Sequence, residues 1–169
     1  QHGVKIIVVL EKMPFFGGNT SISGGGFNSV DPVRQGKQKI KDSPELHARQ
    51  TLAGGDGRAN PELVKTMTAN SYDAIKWLQD MGMKFKDDVY QIYPRCHAPY
   101  GSLGSDYIKV LKPQCDKEGI NILTNSRVVR IFRENQLSGK VLGVEYVDKD
   151  GQHKTVKAQK AVIVATGGF

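Results

Sequence analysis

The chain has 169 residues, 38% hydrophobic and 24% charged, a balance that provides a core for about one domain and argues against intrinsic disorder. Its formal charge of +7 permits anionic partners, but the basic residues are dispersed: the densest group is Lys37, Lys39 and Lys41, with no RNP-like aromatic motif or zinc-finger spacing beside it, which weighs against nucleic acid. Cys96 and Cys115 cannot supply a disulfide framework, no CxxC pair offers a zinc or haem-attachment site, and no apolar run is longer than residues 6–10, far too short for a membrane span.

Residues 4–10 read VKIIVVL, a β-branched run that predicts a strand buried on both faces of a parallel sheet. Ser43, Pro44 and Glu45 supply an N-cap, a first-turn proline and a first-turn acid, so a helix is expected over residues 44–53. Asn60, Pro61 and Glu62 repeat the device. The helix they start carries Leu63, Val64, Met67, Ser71, Ala74, Ile75, Leu78 and Met81 at helical spacing, and Gly82 stops it. A third helix is expected over residues 105–118, ending at Gly119, with Pro113 kinking or splitting it. Short strands follow at residues 121–124, 127–132, 141–147 and 155–157, the last two joined by a polar turn through Asp148, Lys149, Asp150 and Gly151. Residues 161–166, AVIVAT, read as a second buried strand. A chain that opens on Gln1 and carries central-strand sequences near both ends is expected to be an interior piece of a longer polypeptide.

Two groups of residues invite chemistry. Glu11 directly follows the first predicted strand, where a carboxylate in a dinucleotide-binding fold accepts hydrogen bonds from ribose hydroxyls. Beyond it, Gly17, Gly18, Asn19 and Thr20 precede Gly24, Gly25 and Gly26, two glycine clusters that let backbone N–H groups approach a flat or anionic ligand. His97 lies beside Arg95 and Cys96, but neighbours on an extended segment point apart, so a structural or surface role is expected for it in place of a Cys/His nucleophile.

The string EKMPFFGGNTSISGGGFN resembles the ribose-acid and flavin-loop motif of the soluble fumarate reductase family of FAD flavoproteins, which includes flavocytochrome c fumarate reductases and urocanate and methacrylate reductases. The similarity continues through NPELVKTMTANSYDAIKWLQDMG, PRCHAPYGSLG, NSRVVRI and AVIVATGGF. It implies an α/β fold: a partial Rossmann-like FAD-binding domain over residues 1–169, with a parallel sheet, a helical segment and a small antiparallel β-meander. The strand with GxGxxG would precede Gln1, and the capping domain and the rest of the flavin domain would follow Phe169. Glu11 then resembles the residue binding the adenosine ribose, with Lys12 beside it. Gly18 belongs to the double glycine, and Asn19 and Thr20 resemble contacts to the flavin's phosphates and ribityl chain. Gly24, Gly25 and Gly26 would lie against the isoalloxazine, with Gly25 near the reacting face. Val128 matches a valine whose backbone meets adenine, and Ala165, Thr166 and Gly167 match a turn passing close to the dinucleotide. The chain departs from the family's RSHRP motif, with Ala98 where an arginine is usual and a shortened glycine stretch after it.

What the resemblance implies for function is hydride transfer from flavin N5 to the carbon–carbon double bond of an unsaturated carboxylate such as fumarate. The catalytic residues would come from outside this chain, as would the electron donor, a cytochrome or reduced flavin. Residues 20–27 contain no histidine of the kind that anchors flavin covalently, so dissociable FAD is expected. The resemblance suggests a bacterial periplasmic setting, with the cytoplasm as the alternative. The competing readings are another branch of the superfamily, of ketosteroid dehydrogenase or aspartate oxidase type, and a basic non-enzymatic binding module.

Overall fold

The computed structural model describes residues 6–167. The chain divides into two compact units, one formed by Gln1–Asn19 with Lys112–Phe169 and the other by Thr20–Leu111. In chain order the elements are β1 (Val8–Leu10), α1 (Gly18–Ile22), β2 (Phe27–Asn28), α2 (Pro32–Lys37), α3 (Pro44–Gly54), α4 (Pro61–Asp80), β3 (Phe85–Tyr90), β4 (Cys96–Pro99), α5 (Ser105–Lys117), β5 (Asn121–Leu123), β6 (Arg127–Arg133), β7 (Val141–Val147) and β8 (His153–Lys157).

In the first unit, β1 pairs parallel with β5, and β6, β7 and β8 form an antiparallel meander. These are the parallel sheet and meander expected from the sequence. The β1 strand is shorter and more exposed than residues 4–10 suggested; residues 4 and 5 lie outside the described part, and Ile6 is 83% exposed. A strand becomes buried on both faces only when strands flank both edges and helices cover both faces, and among the described residues β1 pairs with β5 alone. The same reasoning corrects residues 161–166. They form no strand, Ile163 is 87% exposed, and an apolar run with no ladder partner stays irregular.

The second unit is built on α4. Asn60 Oδ1 accepts from the N–H groups of Glu62 and Leu63, Pro61 occupies the first turn, and the chain leaves through Gly82 at φ 98°. The helix buries Val64, Thr68, Ser71, Ile75 and Leu78, a narrower stripe than the sequence suggested, since Leu63 and Met67 face solvent. Ile75 and Leu78 join Met83 and Phe85 in the core, with Phe27, Tyr72, Tyr107 and Val110 packed around them. The α3 helix starts where Ser43 and Pro44 place it, Ser43 Oγ accepting from Leu46 N–H. Pro113 does not split α5, which runs continuously through it. A proline removes one donor, and here the flanking turns carry the helix past that gap.

A short mixed-burial sheet, ordered β2, β4, β3, has no counterpart in the sequence reading. All four residues of β4 are buried. Behind it lies a connected polar network. Asp31 caps α2, its Oδ1 accepting from Val33 and Arg34 N–H at 2.9 Å each, while its Oδ2 faces Arg34 Nη1 at 2.8 Å and His97 Nε2 at 3.1 Å. Gln35 bridges onward, its Nε2 donating to Asp42 Oδ2 and to the Pro94 carbonyl. Asp42 takes a two-pronged contact from Arg95, Nε at 2.8 Å and Nη2 at 2.6 Å, with both side chains buried. Burial pushes the Asp42 carboxyl upward, but hydrogen bonds from Arg95, Gln35 and Ser43 N–H outweigh it and hold the group below the usual carboxylate range.

Removing one partner of such a pair strands the other charge in the interior. Asp42→Ala is therefore expected to cost about 3–5 kcal/mol, read as a lowered denaturant midpoint, and a midpoint equal to wild type would show that the pair contributes nothing. Because Asp42 and Asp31 are held below their unfolded values, their contribution is complete above about pH 4 and is lost as pH falls below it. Denaturant midpoints measured from pH 7 down to pH 3 should fall less steeply for Asp42→Asn than for wild type.

Candidate cofactor site

In the first unit the backbone leaves β1 at Glu11 and is stitched at once to the turn between β5 and β6. Glu11 N–H donates to the Leu123 carbonyl at 2.9 Å, Ser126 N–H donates to the Glu11 carbonyl at 2.8 Å, and Asn125 N–H donates to the Met13 carbonyl at 3.0 Å. These bonds set the carboxylate at the carboxyl end of a parallel strand, where dinucleotide folds place a ribose acid. Glu11 Oε1 accepts from Met13 N–H at 2.8 Å, and Oε2 makes no hydrogen bond among the described residues. Val128 follows two residues after Ser126, on β6, opposite Tyr146 of β7. The ladder slips immediately beyond it, between Val128 and Arg130, and such a bulge releases backbone groups from pairing. Glu11 and Val128 are thus brought to one end of this unit. Lys12, Gly18 and Asn19 are exposed, the last two on the short α1. Ala165, Thr166 and Gly167 are exposed and irregular, with Gly167 at φ 76° and no contact to Glu11 or Val128 among the described hydrogen bonds.

In the second unit the glycine segment 24–26 is held from both ends. At its entry, Gly104 N–H donates to the Ser23 carbonyl at 2.8 Å, and Ser23 Oγ accepts from Gly25 N–H at 3.2 Å while donating to the Thr20 carbonyl at 2.8 Å. At its exit, Phe27 and Asn28 pair with His97 and Cys96 of β4. His97 secures that strand from within, its Nδ1 lying 3.1 Å from the Phe27 carbonyl and 3.0 Å from the Arg95 carbonyl. His97 is wholly buried, so of the structural and surface positions expected for it the structure places it in the interior. Cys96 is buried as well, and its sulfur sits against Gly26.

The three glycines differ. Gly25 is buried, has φ 69°, and a side chain there would come within 2.8 Å of Gly104 N and Pro99 Cγ. A side chain on Gly26 would meet Cys96 Sγ at 2.6 Å. Gly24 is exposed and its added Cβ would meet nothing within 4 Å. It borders an open groove of about 460 Å³ lined also by Lys86, Asp87, Asp88, Tyr90, Ala98 and Ser102. Ala98 therefore stands on the wall of this groove, at the position where the resembling family carries an arginine. The groove and the open approach at Gly24 fit a flat ring; the buried flank of Gly25 is filled by the chain's own residues. The sequence carries no local signal for the hold on the segment by Ser23, Gly104 and Tyr107, whose hydroxyl donates to the Gly25 carbonyl, although the motif PRCHAPYGSLG marks part of the partner stretch.

Among the described residues no group of three or more His, Cys, Asp or Glu side chains could hold a metal, and no helix is long and apolar enough to cross a membrane.

Comparison with known proteins places the chain. The FAD binding domain family matches residues 1–169. The chain is 34% identical over 172 residues to a fumarate reductase (cytochrome) of Shewanella frigidimarina, covering 99% of this chain and 29% of that protein. It is 29% identical over 180 residues to the acrylate reductase flavoprotein subunit of Shewanella woodyi, covering 100% of this chain and 35% of the relative. Among solved structures, the open conformation of a flavocytochrome c3 fumarate reductase superposes with a TM-score of 0.81 at 29% identity, over 90% of this chain and 28% of that one. The chain thus spans about a third or less of the length of these relatives.

The differing glycines separate folding from binding. Gly25→Ala is expected to destabilise by at least about 2 kcal/mol through its left-handed backbone and its crowded flank. Gly24→Ala should leave the melting temperature at the wild-type value; equal losses for the two variants would contradict the packing described.

Proposed function

The chain belongs to the FAD binding domain family, and from that premise we propose that it carries the adenosine-ribose and flavin-loop contacts of an enzyme reducing the carbon–carbon double bond of an unsaturated carboxylate. The observation that carries this reading is the exposed Gly24 beside its groove, on a segment locked in place by Ser23 and β4. Glu11, whose Oε2 makes no hydrogen bond among the described residues, supports it at the ribose end, and the bulge after Val128 supports a backbone contact to adenine. Lys12, Gly18, Asn19, Thr20, Gly26, Ala165, Thr166 and Gly167 complete the proposed contacts on the strength of the family resemblance, with Gly25 serving as the buried anchor between its neighbours.

When bound, FAD supplies the hydride for reduction of the double bond. The chain's own part is to bind and orient: Glu11 offers an acceptor to ribose hydroxyls, and the glycine segment lets backbone lie close to the ring. Fumarate and acrylate are the substrates the relatives' names suggest, and 29% coverage of the fumarate reductase leaves the substrate-holding residues to other parts of the enzyme. An external electron donor and, for a bacterial enzyme, a periplasmic setting follow the family pattern. The absence of histidine from residues 20–27 supports dissociable flavin.

The full-length polypeptide should show flavin absorbance that passes into the supernatant on acid precipitation, and its reduced flavin should be reoxidised by fumarate or acrylate. Reduction of the oxidised flavin by a ring-saturated 3-ketosteroid, with no reoxidation of reduced flavin by fumarate or acrylate, would favour the ketosteroid dehydrogenase branch instead. Glu11→Gln should weaken FAD binding about tenfold to a hundredfold, in line with loss of hydrogen bonds to a charged acceptor. Gly24→Val should lower FAD affinity without lowering stability, and unchanged affinity would remove the glycine segment from the site.

A further inference from the structure

Tyr107 stands on the first turns of α5, half buried, its ring set edgewise 6.3 Å from Phe85. Its hydroxyl donates to the Gly25 carbonyl oxygen at 2.7 Å, across 82 residues of sequence. Burial pushes this hydroxyl up to about 12, so it remains a neutral donor throughout the physiological range. The contact bears on a peptide bond of unusual freedom. The unit joining Gly25 to Gly26 has glycine on both sides, and neither residue carries the Cβ that ordinarily discourages rotation of the peptide plane.

We propose that Tyr107 is a positioning residue of the flavin site, fixing the orientation of the Gly25–Gly26 peptide through its hydrogen bond to the Gly25 carbonyl. This rests on the reading of residues 24–26 as the flavin loop. A trans peptide holds its C=O and the following N–H on opposite sides. Since the bond between these residues is not cis, drawing the Gly25 carbonyl towards Tyr107 turns the Gly26 N–H away from the phenol, on a residue that is exposed. A donor presented to an electron-rich ring edge stabilises added negative charge there, so the orientation of this one peptide tunes both affinity for the flavin and the ease of its reduction. Ser23 Oγ opposes rotation from the other side, by accepting from Gly25 N–H at 3.2 Å. The two side chains grip the same glycine through its two peptide groups.

The test uses the FAD-loaded full-length polypeptide and three variants: Tyr107→Phe, which keeps the ring and its packing on Phe85; Ser23→Ala; and Tyr72→Phe, which removes a hydroxyl from the edge of the same hydrophobic core without touching the glycine segment. Tyr107→Phe and Ser23→Ala should each raise the FAD dissociation constant about tenfold and displace the flavin midpoint potential, while Tyr72→Phe matches wild type in both. A merely structural Tyr107 would lower the melting temperature with wild-type affinity and potential, and that result overturns the proposal. If Tyr107→Phe fails to fold, Ser23→Ala alone decides, since a wild-type potential in it would equally overturn the grip. The underlying reading fails separately: Gly24→Val with undiminished FAD affinity would remove both the flavin loop and the role of Tyr107.

Discussion

Strand β4 is the member on which the glycine segment hangs. It is four residues long and wholly buried, and it contains a histidine whose ring nitrogens reach the Phe27 and Arg95 carbonyls on one side and the Asp31 carboxylate on the other. So short a strand has little intrinsic preference for its place; what fixes it is the connected polar network running from His97 through Asp31 and Gln35 to Asp42 and Arg95. Low dielectric makes each of these bonds strong when satisfied and expensive when broken, so the network specifies one position for β4. Through β2, that position dictates where the glycine segment ends.

Glycine serves two ends within three residues. At Gly25 and Gly26 it lets the segment pack tightly onto Pro99, Gly104 and Cys96, which is a requirement of folding. At Gly24 no neighbour demands it, and the open flank faces a groove. Gly25 is buried in this packing, while Gly24 and Gly26 remain exposed on either side of it. The end proposed for adenosine is built differently, from a carboxylate whose backbone is bonded on both sides and a strand whose ladder slips beside Val128.

Local signals were legible in the sequence and long-range ones were not. Ser43 with Pro44 and Asn60 with Pro61 announce helix starts because an N-cap and a first-turn proline act within a few residues. The meander was readable for a similar reason, its β-branched strands being separated by the turn at Asp148, whose Oδ1 accepts from Asp150 and Gln152 N–H. The sheet of β2, β4 and β3 is not legible in the sequence because CHAP carries neither alternation nor β-branched residues, and although β3 lies nearby, β2 and Asp31 reach it from more than 50 residues away. Residues 161–166 failed in the opposite sense: the composition of a central strand was present without a ladder to join. Of the candidate site, Glu11 and the glycines could be found by spacing and resemblance, whereas Tyr107 could not, since nothing near it in sequence points to Gly25.

Glu11 at the end of β1 and the exposed side of the glycine segment are each proposed as contacts to FAD. Hydrogen–deuterium exchange of the full-length polypeptide, with FAD bound and after its removal, tests this most directly. Slower exchange on FAD binding is expected in peptides covering residues 10–13 and 23–28, with the helix over residues 61–80 unchanged. Unaltered exchange in both of those peptides, with protection appearing only elsewhere, would contradict it.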